Sequence, residues 1–283
     1  MDPERADIEK ALPRMQALAS RTWSLQSRHH PGQLAWSAAH GEPEVLDLGP
    51  AFVVDDAWAW LESLDWLEAC GTDPVAVDAV VTAALAESAD EVTASTLETE
   101  AVVIDVLTDH GFTEVESPWF THHHLDLADL PAVDLPEGYA VRAVLAGEHE
   151  QRAAVHRAAW SPTSRVTAAA YERLMATPPY RPDLDHVVTT TDGQWVASCC
   201  VWLDPTTGVA LVEPVGCVAE HGGQGLATAA SVSALTAARD AGATTGLVCP
   251  RGDDGYPGPA RLYRRTGFVP GARTRTYRWR RGD

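Results

Sequence analysis

Between Val215 and Ala229 the chain reads VGCVAEHGGQGLATA: a strand-like run enters Gly222-Gly223-Gln224-Gly225, and a helix leaves with Leu226, Ala229, Val232 and Leu235 turned to one face. Glycines let a backbone approach a ligand closely, and the first amides of a helix have no intrahelical acceptor and lie at its positive end. The chemistry this invites is capture of a diphosphate by main-chain N–H groups. The spacing is not that of a Walker loop, because no Lys-Ser/Thr follows. Nor is it a dinucleotide fingerprint, since the later glycine and an acidic residue about twenty positions on are both missing.

Other reactive residue types are open to plainer readings. His122, His123 and His124 are consecutive; in a strand only the first and third share a face, and no third ligand stands at a fixed spacing, so no metal site is expected. The five cysteines are odd in number and form no C-x-x-C pair, and adjacent Cys199 and Cys200 read as small core residues, so reduced thiols in a reducing compartment are the expectation. Glu220 and His221 in the loop read as exposed, and Asp253 with Asp254 as either a turn or a substrate contact. Trp58, Trp60 and Trp66 read as packing residues, with an aromatic cage for a cation as the alternative.

A set of elements must hold these residues. In the first half, helices are expected over Asp7–Ala19, Asp56–Ala69, Pro74–Glu87 and Leu97–His110, strands over Gln33–Ala39 and Glu44–Leu48, and an extended run over Phe112–Leu127. Pro131 and Pro136, in an acidic stretch from Leu125 to Gly138, mark an interdomain linker, which divides the chain into 1–130, a linker 131–137 and 138–283. Beyond it the expected order is strand Tyr139–Ala143, helices Glu148–Trp160 and Ala168–Ala176, strands His186–Thr191, Trp195–Leu203 and Val209–Val218, helix Gly225–Ala241, strand Thr244–Cys249, helix Pro259–Thr266 and strand Phe268–Trp279. That is an α/β plan with a mixed sheet, antiparallel first and parallel where a helix crosses over. TDHGF at 108–112 and RRTGF at 264–268 each precede a strand, an echo that favours duplication.

The charge is divided as sharply. Of 283 residues with net charge −19, positions 1–137 carry a net −22 and positions 138–283 a net +3. An Arg-bearing, near-neutral half suits an anionic ligand, and the acidic half serves solubility or draws in a cationic substrate. Arg273, Arg275, Arg278, Arg280 and Arg281 are expected to meet the acidic half rather than the 3′-phosphate of a nucleotide. No run of 18 apolar residues and no signal-type start occur, so a cytoplasmic protein without membrane or nucleic-acid partners is expected.

On two motifs in order, Gly222-Gly223-Gln224-Gly225-Leu226-Ala227 and Ala260-Arg261-Leu262-Tyr263-Arg264-Arg265-Thr266-Gly267-Phe268, the chain resembles the GNAT acyltransferase superfamily. The resemblance covers 138–283, and the duplication extends it to a tandem with a degenerate first half. It implies two GNAT-like domains and acetyl-CoA as the cofactor, with the diphosphate on the amides of residues 222–227. The strand Val215–Val218 would splay to pair with pantetheine. Acetyl would pass directly to an amine of a small molecule, a cationic one if the acidic half attracts it, in a monomer or homodimer. Tyr263 matches the acid that protonates the departing thiolate, and amides around Cys217 and Val218 the donors to the acyl carbonyl. Glu213 stands where the family often has a base, with a salt-bridged structural role equally open. Two departures are visible. Gly222 replaces the usual Arg or Gln, leaving Gln224, Arg251 or Arg261 to compensate, and Tyr256 stands near the place of the usual Asn. An acyl-CoA sensor without turnover and a peptide or protein acyltransferase are the competing functions.

Overall fold

The computed structural model describes residues 2–39, 48–253, 255 and 258–282. The first half runs β1 (Glu4–Ala6), α1 (Ile8–Thr22), α2 (Pro31–Ala39), β2 (Ala51–Val53), β3 (Ala57–Ser63), β4 (Trp66–Gly71), α3 (Pro74–Glu87), β5 (Glu91–Leu97), α4 (Ala101–Asp109), β6 (Thr113–Val115) and β7 (Thr121–Asp126). The second runs β8 (Tyr139–Ala143), α5 (His149–Ala159), α6 (Ala168–Ala176), β9 (Asp185–Thr190), β10 (Trp195–Asp204), β11 (Val209–Cys217), α7 (Leu226–Asp240), β12 (Thr245–Val248), α8 (Gly258–Arg265) and β13 (Val269–Arg280). Once β6 and β7 are taken as one interrupted strand, the two halves repeat the same β-α-α-β-β-β-α-β-α-β order.

Two first-half expectations fail, each for a local reason. Gln33–Ala39 is helix α2, not a strand: Pro31 opens it and the run is rich in alanine, so its alternation of large and small side chains is helical packing, with Leu34 and Ala35 wholly buried. Asp56–Ala69 is not a helix but the β3–β4 hairpin. AWAWLES has period two, which puts Trp58 and Trp60 on one face, at 0% and 1% exposure, against Met15 and Leu18 of α1. The stretch expected as one helix over Leu97–His110 begins only at Ala101, after a strand, β5, that the sequence reading overlooked. The strand expected over Glu44–Leu48 falls, but for Leu48, outside the described residues, as do Asp254 and Tyr256.

Hydrogen bonding joins the strands in the order β1-β2-β3-β4-β5-β13-β7-β12-β11-β10-β9-β8, with β6 also beside β13. The two halves exchange strands at the centre. β7, from the first half, pairs with β12 and with Val269–Arg273 of β13, whereas Thr274–Arg280 of β13 returns to pair with β5. The sheet therefore crosses the point where the sequence divides, and the segment from Leu130 to Glu137 runs over it without regular structure.

Side chains follow the same exchange. The C-terminal arginines meet the acidic half as expected: Arg273 with Glu98 at 3.5 Å, Arg275 with Glu114 at 2.7 Å, Arg280 with Glu91 at 2.9 Å and Arg281 with Asp90 at 2.9 Å. Such exposed pairs contribute about 0–1 kcal/mol each, so they fix alignment more than stability. A shared apolar core stabilises the junction more, packing Ala35 and Ala39 of α2 with Tyr171, Leu174 and Trp202 of the second half. No helix among the described residues is long and apolar enough to cross a membrane.

Strand exchange makes the halves interdependent. Residues 131–283 produced alone would leave the β12 edge and the whole of β13 unpaired, and are expected to aggregate; mixing with residues 1–130 during refolding should restore a monodisperse species. Size-exclusion chromatography of each fragment and of the mixture checks this, and a soluble, folded 131–283 fragment would contradict it.

Candidate functional site

β11 and β12 are parallel neighbours only over Val209–Leu211 and Thr245–Leu247. Beyond Leu211 they part, and the gap widens into a cleft of about 1150 Å³ lined by Val212 to Cys217 on one side and Val248 to Arg251 on the other. Backbone groups facing such a gap lack ladder partners, so it is a place for an extended ligand to complete the sheet. Val218 is not one of those groups, because its N–H donates to the Val196 carbonyl at 2.8 Å. In the antiparallel ladder with β10, alternation then turns the Cys217 amide to the opposite edge, toward the opening. Of the two expected carbonyl donors, Cys217 turns its amide to the opening and Val218 turns its amide to β10.

The glycine loop lies at the start of α7. Gly225 is its N-cap, with φ at +80° and no side-chain cap, and the first helical bond runs from Ala229 N–H to the Gly225 carbonyl. A left-handed N-cap with no side chain brings the amides of Leu226 and Ala227 to the surface unobstructed, although the Leu226 side chain itself is buried in the core. Gly223 is also left-handed, with φ at +77°. Gly222 is not: its φ is −62° and its amide donates to the Ala219 carbonyl, so it closes the turn. Gln224 accepts from the Tyr139 hydroxyl at 3.3 Å, and that hydroxyl also lies 2.9 Å from Nδ1 of His221, which ties the loop to β8. Of the other residues named to replace the missing side chain, Arg251 is paired with Asp253 and Arg261 is exposed on α8.

Tyr263, on α8, and Glu213, on β11, both line the cleft. Burial holds the Tyr263 phenol well above its usual range, which keeps the proton on its oxygen. Burial pushes the Glu213 carboxyl up to about 7; Arg28 opposes that rise and Glu62 adds to it. Both neighbours come from the first half, a contribution the sequence reading missed. Arg28 also faces Glu68, Cys249 and Glu100, and its Nη2 is 3.8 Å from Glu68. Near it His122 is buried with both ring nitrogens unpartnered and is held neutral by burial and by Arg28. No group of three His, Cys, Asp or Glu among the described residues is arranged to hold a metal ion.

The same places in the first half are chemically blank. α3 is capped by Asp73, whose carboxylate accepts from the amides of Val75 and Ala76 and so occupies the anion position with its own charge. Gly111-Phe112 and Gly267-Phe268 superpose in logic: both glycines are left-handed, and the phenylalanine amides donate to Leu107 and Tyr263 respectively, each at 3.0 Å. Leu107 thus occupies the position that Tyr263 holds in the second half.

Solved structures share the whole plan. A tandem GNAT protein from the clavulanic acid biosynthesis pathway, determined without AcCoA, aligns over 100% of this chain and 98% of its own at a TM-score of 0.63 and 16% identity. The fold is that of tandem GNAT proteins. A GCN5-related N-acetyltransferase from Sphaerobacter thermophilus aligns over 98% of this chain and 95% of its own, at TM-score 0.57 and 18% identity, and one from Kribbella flavida over 89% and 96%, at 0.56 and 23%. No family model matches the sequence, and neither does any curated protein. In this tandem GNAT fold both copies have strands that part, but the helix start without a side-chain cap and Tyr263 belong to the second copy.

The electrostatic account of Glu213 is open to direct measurement. Its carboxyl should titrate near 7 by carbon-detected NMR of labelled glutamate; Glu62→Gln should lower that value and Arg28→Met raise it. A Glu213 that titrates in the ordinary carboxylate range would refute the account.

Proposed function

We propose that the protein is an N-acetyltransferase that moves an acetyl group from acetyl-CoA to an amine of a small molecule by direct attack, using its second half. The observation that carries this reading is the combination of parted strands and uncapped helix in one half, with an acid and a base lining the same cleft. The residues suit CoA: a left-handed glycine cap leaves helix amides free for a diphosphate, and the open edge of β11 offers main-chain partners to an extended arm. The amides of Gly223 to Ala227 would hold the diphosphate, with Gly222 serving the turn.

When bound, the cofactor supplies an acetyl thioester and a thiolate leaving group. An attacking amine must be neutral, and a carboxyl titrating near 7 can take a proton from an ammonium at neutral pH; that role belongs to Glu213. The Cys217 amide is turned to polarise a carbonyl in the opening. Tyr263 keeps a proton at its hydroxyl throughout the usable pH range and can give it to a developing thiolate. Having both a proton acceptor and a proton donor in the cleft favours turnover over passive sensing of acyl-CoA. Among the described residues the cleft lining carries no carboxylate but Glu213, so the acidic half adds no lining carboxylate to attract a cationic acceptor.

Calorimetry with acetyl-CoA and a thiol-release assay with candidate amines test the reading. Tyr263→Phe is expected to lower kcat by about 100-fold while leaving the cofactor Kd within about twofold. Saturable cofactor binding with no transfer to any amine would support the sensor instead, and absence of cofactor binding would remove both.

A further inference from the structure

The cleft extends beyond the parted strands into a chamber whose wall is aromatic. Trp160, at the end of α5, stacks on His156 with ring centroids 4.4 Å apart and planes 19° from parallel, and Trp36 of α2 approaches the same His156 ring at 5.4 Å. All three line the cleft, with Phe120, Val166 and Pro214 among the surrounding apolar surface. The wall is built tightly against β11: a Cβ on Gly216 would stand 2.5 Å from the Trp160 ring, so only glycine lets the indole lie flat on the strand. The charges that line it are Glu213, Arg165 and Arg251. The acidic half sends Glu91, Glu98 and Glu114 to the C-terminal arginines, away from this chamber.

We infer that the acceptor is an arylalkylamine, a single primary amine on a flat aromatic body, with that body held against Trp36, His156 and Trp160 and the nitrogen presented to Glu213. Offset stacking and apolar burial favour such a body, and a chamber whose lining offers one carboxylate beside Arg165, with Arg251 already paired to Asp253, has a partner for only one ammonium of a polyamine or an aminoglycoside. The first half is then part of the acceptor site, because Trp36 is the residue that brings α2 to the wall. This inference rests on the acetyltransferase reading. In the transfer, Glu213 receives the first ammonium proton, the neutral nitrogen forms a bond to the acetyl carbon, the carbon–sulfur bond breaks as Tyr263 protonates the thiolate, and the second proton shed by the nitrogen returns to Tyr263 through water.

The test uses the full chain, with 2-phenylethylamine and spermidine as probes. Saturation-transfer NMR and tryptophan fluorescence should show saturable binding of 2-phenylethylamine without cofactor. In the presence of acetyl-CoA, kcat/KM for it should exceed that for spermidine at least 100-fold. Trp36→Ala should raise its KM about tenfold with kcat nearly unchanged, whereas Trp36→Phe should keep KM within about threefold, a rescue that a merely destabilising change would not show. A wild-type protein that binds acetyl-CoA but gives no saturable signal with 2-phenylethylamine, or that acetylates spermidine equally well, overturns the inference and leaves the acetyltransferase reading standing. Failure to bind acetyl-CoA, with the amine still bound, removes the acetyltransferase reading and with it the amine's role as acceptor.

Discussion

The parting of β11 from β12 after three paired residues is the constraint on which the rest of the molecule turns. A parallel pair that separates inside a sheet leaves main-chain donors and acceptors without ladder partners, a costly arrangement unless water or a ligand completes them. Every neighbouring feature conforms to the opening. α7 begins at its mouth with a cap that has no side chain, Tyr263 reaches it from α8, and Glu213 stands on the strand that diverges. The strands stay together on the far side of the opening because β12 is clamped by β7, an element contributed from the other half.

The first half repeats the order of the second without its cleft residues. Its β4 and β5 pair only over Trp66–Leu67 and Thr93–Ala94 before diverging, so the geometry of an opening survives there. A smaller cavity of about 280 Å³ lies at that place, lined by Cys70, Gly71 and Thr99 among others. The residues around it differ: Asp73 repels an anion from the helix start, and Leu107 stands where the second half has Tyr263. What keeps the half in place is structural and electrostatic. It lends β7 to the second sheet, receives β13 in return, and sets Arg28 and Glu62 around Glu213.

Most of the second half was legible in its sequence because its signals are local. Glycine spacing, the A-x-x-L-Y segment and two hairpin turns each specify a conformation within a few residues, and all ten elements of that half lie within a residue or two of where the pattern puts them. The first half resisted for physical reasons. AWAWLES and LAWSAA are both apolar with interspersed tryptophan, and short buried runs do not reveal their period until partners are known. Arg28, Glu62 and Trp36 carried no motif at all, since their importance lies in which distant strand they face. Gly222 shows another limit: its type fitted the loop, but only the structure gives its φ and its bond to Ala219, which hold the turn together.

Charge allocation follows the same logic of distant partners. A net of −22 on the first 137 residues invites the idea of a cation-attracting surface. Yet carboxylates act over about a Debye length of 10 Å or less at physiological salt; Glu91, Glu98 and Glu114 are matched with arginines of β13, and Glu62 is the one that bears on Glu213. The remaining acids serve solubility, and the cleft is left with a single buried carboxylate whose ionisation is balanced between one arginine and one glutamate. A buried group with a pKa so near neutrality is sensitive to either neighbour, so a half that has lost its own chemistry can still govern that of its twin. That dependence gives a physical reason for the second copy to keep the first attached: removing it would strip Glu213 of its electrostatic setting as well as the sheet of a strand.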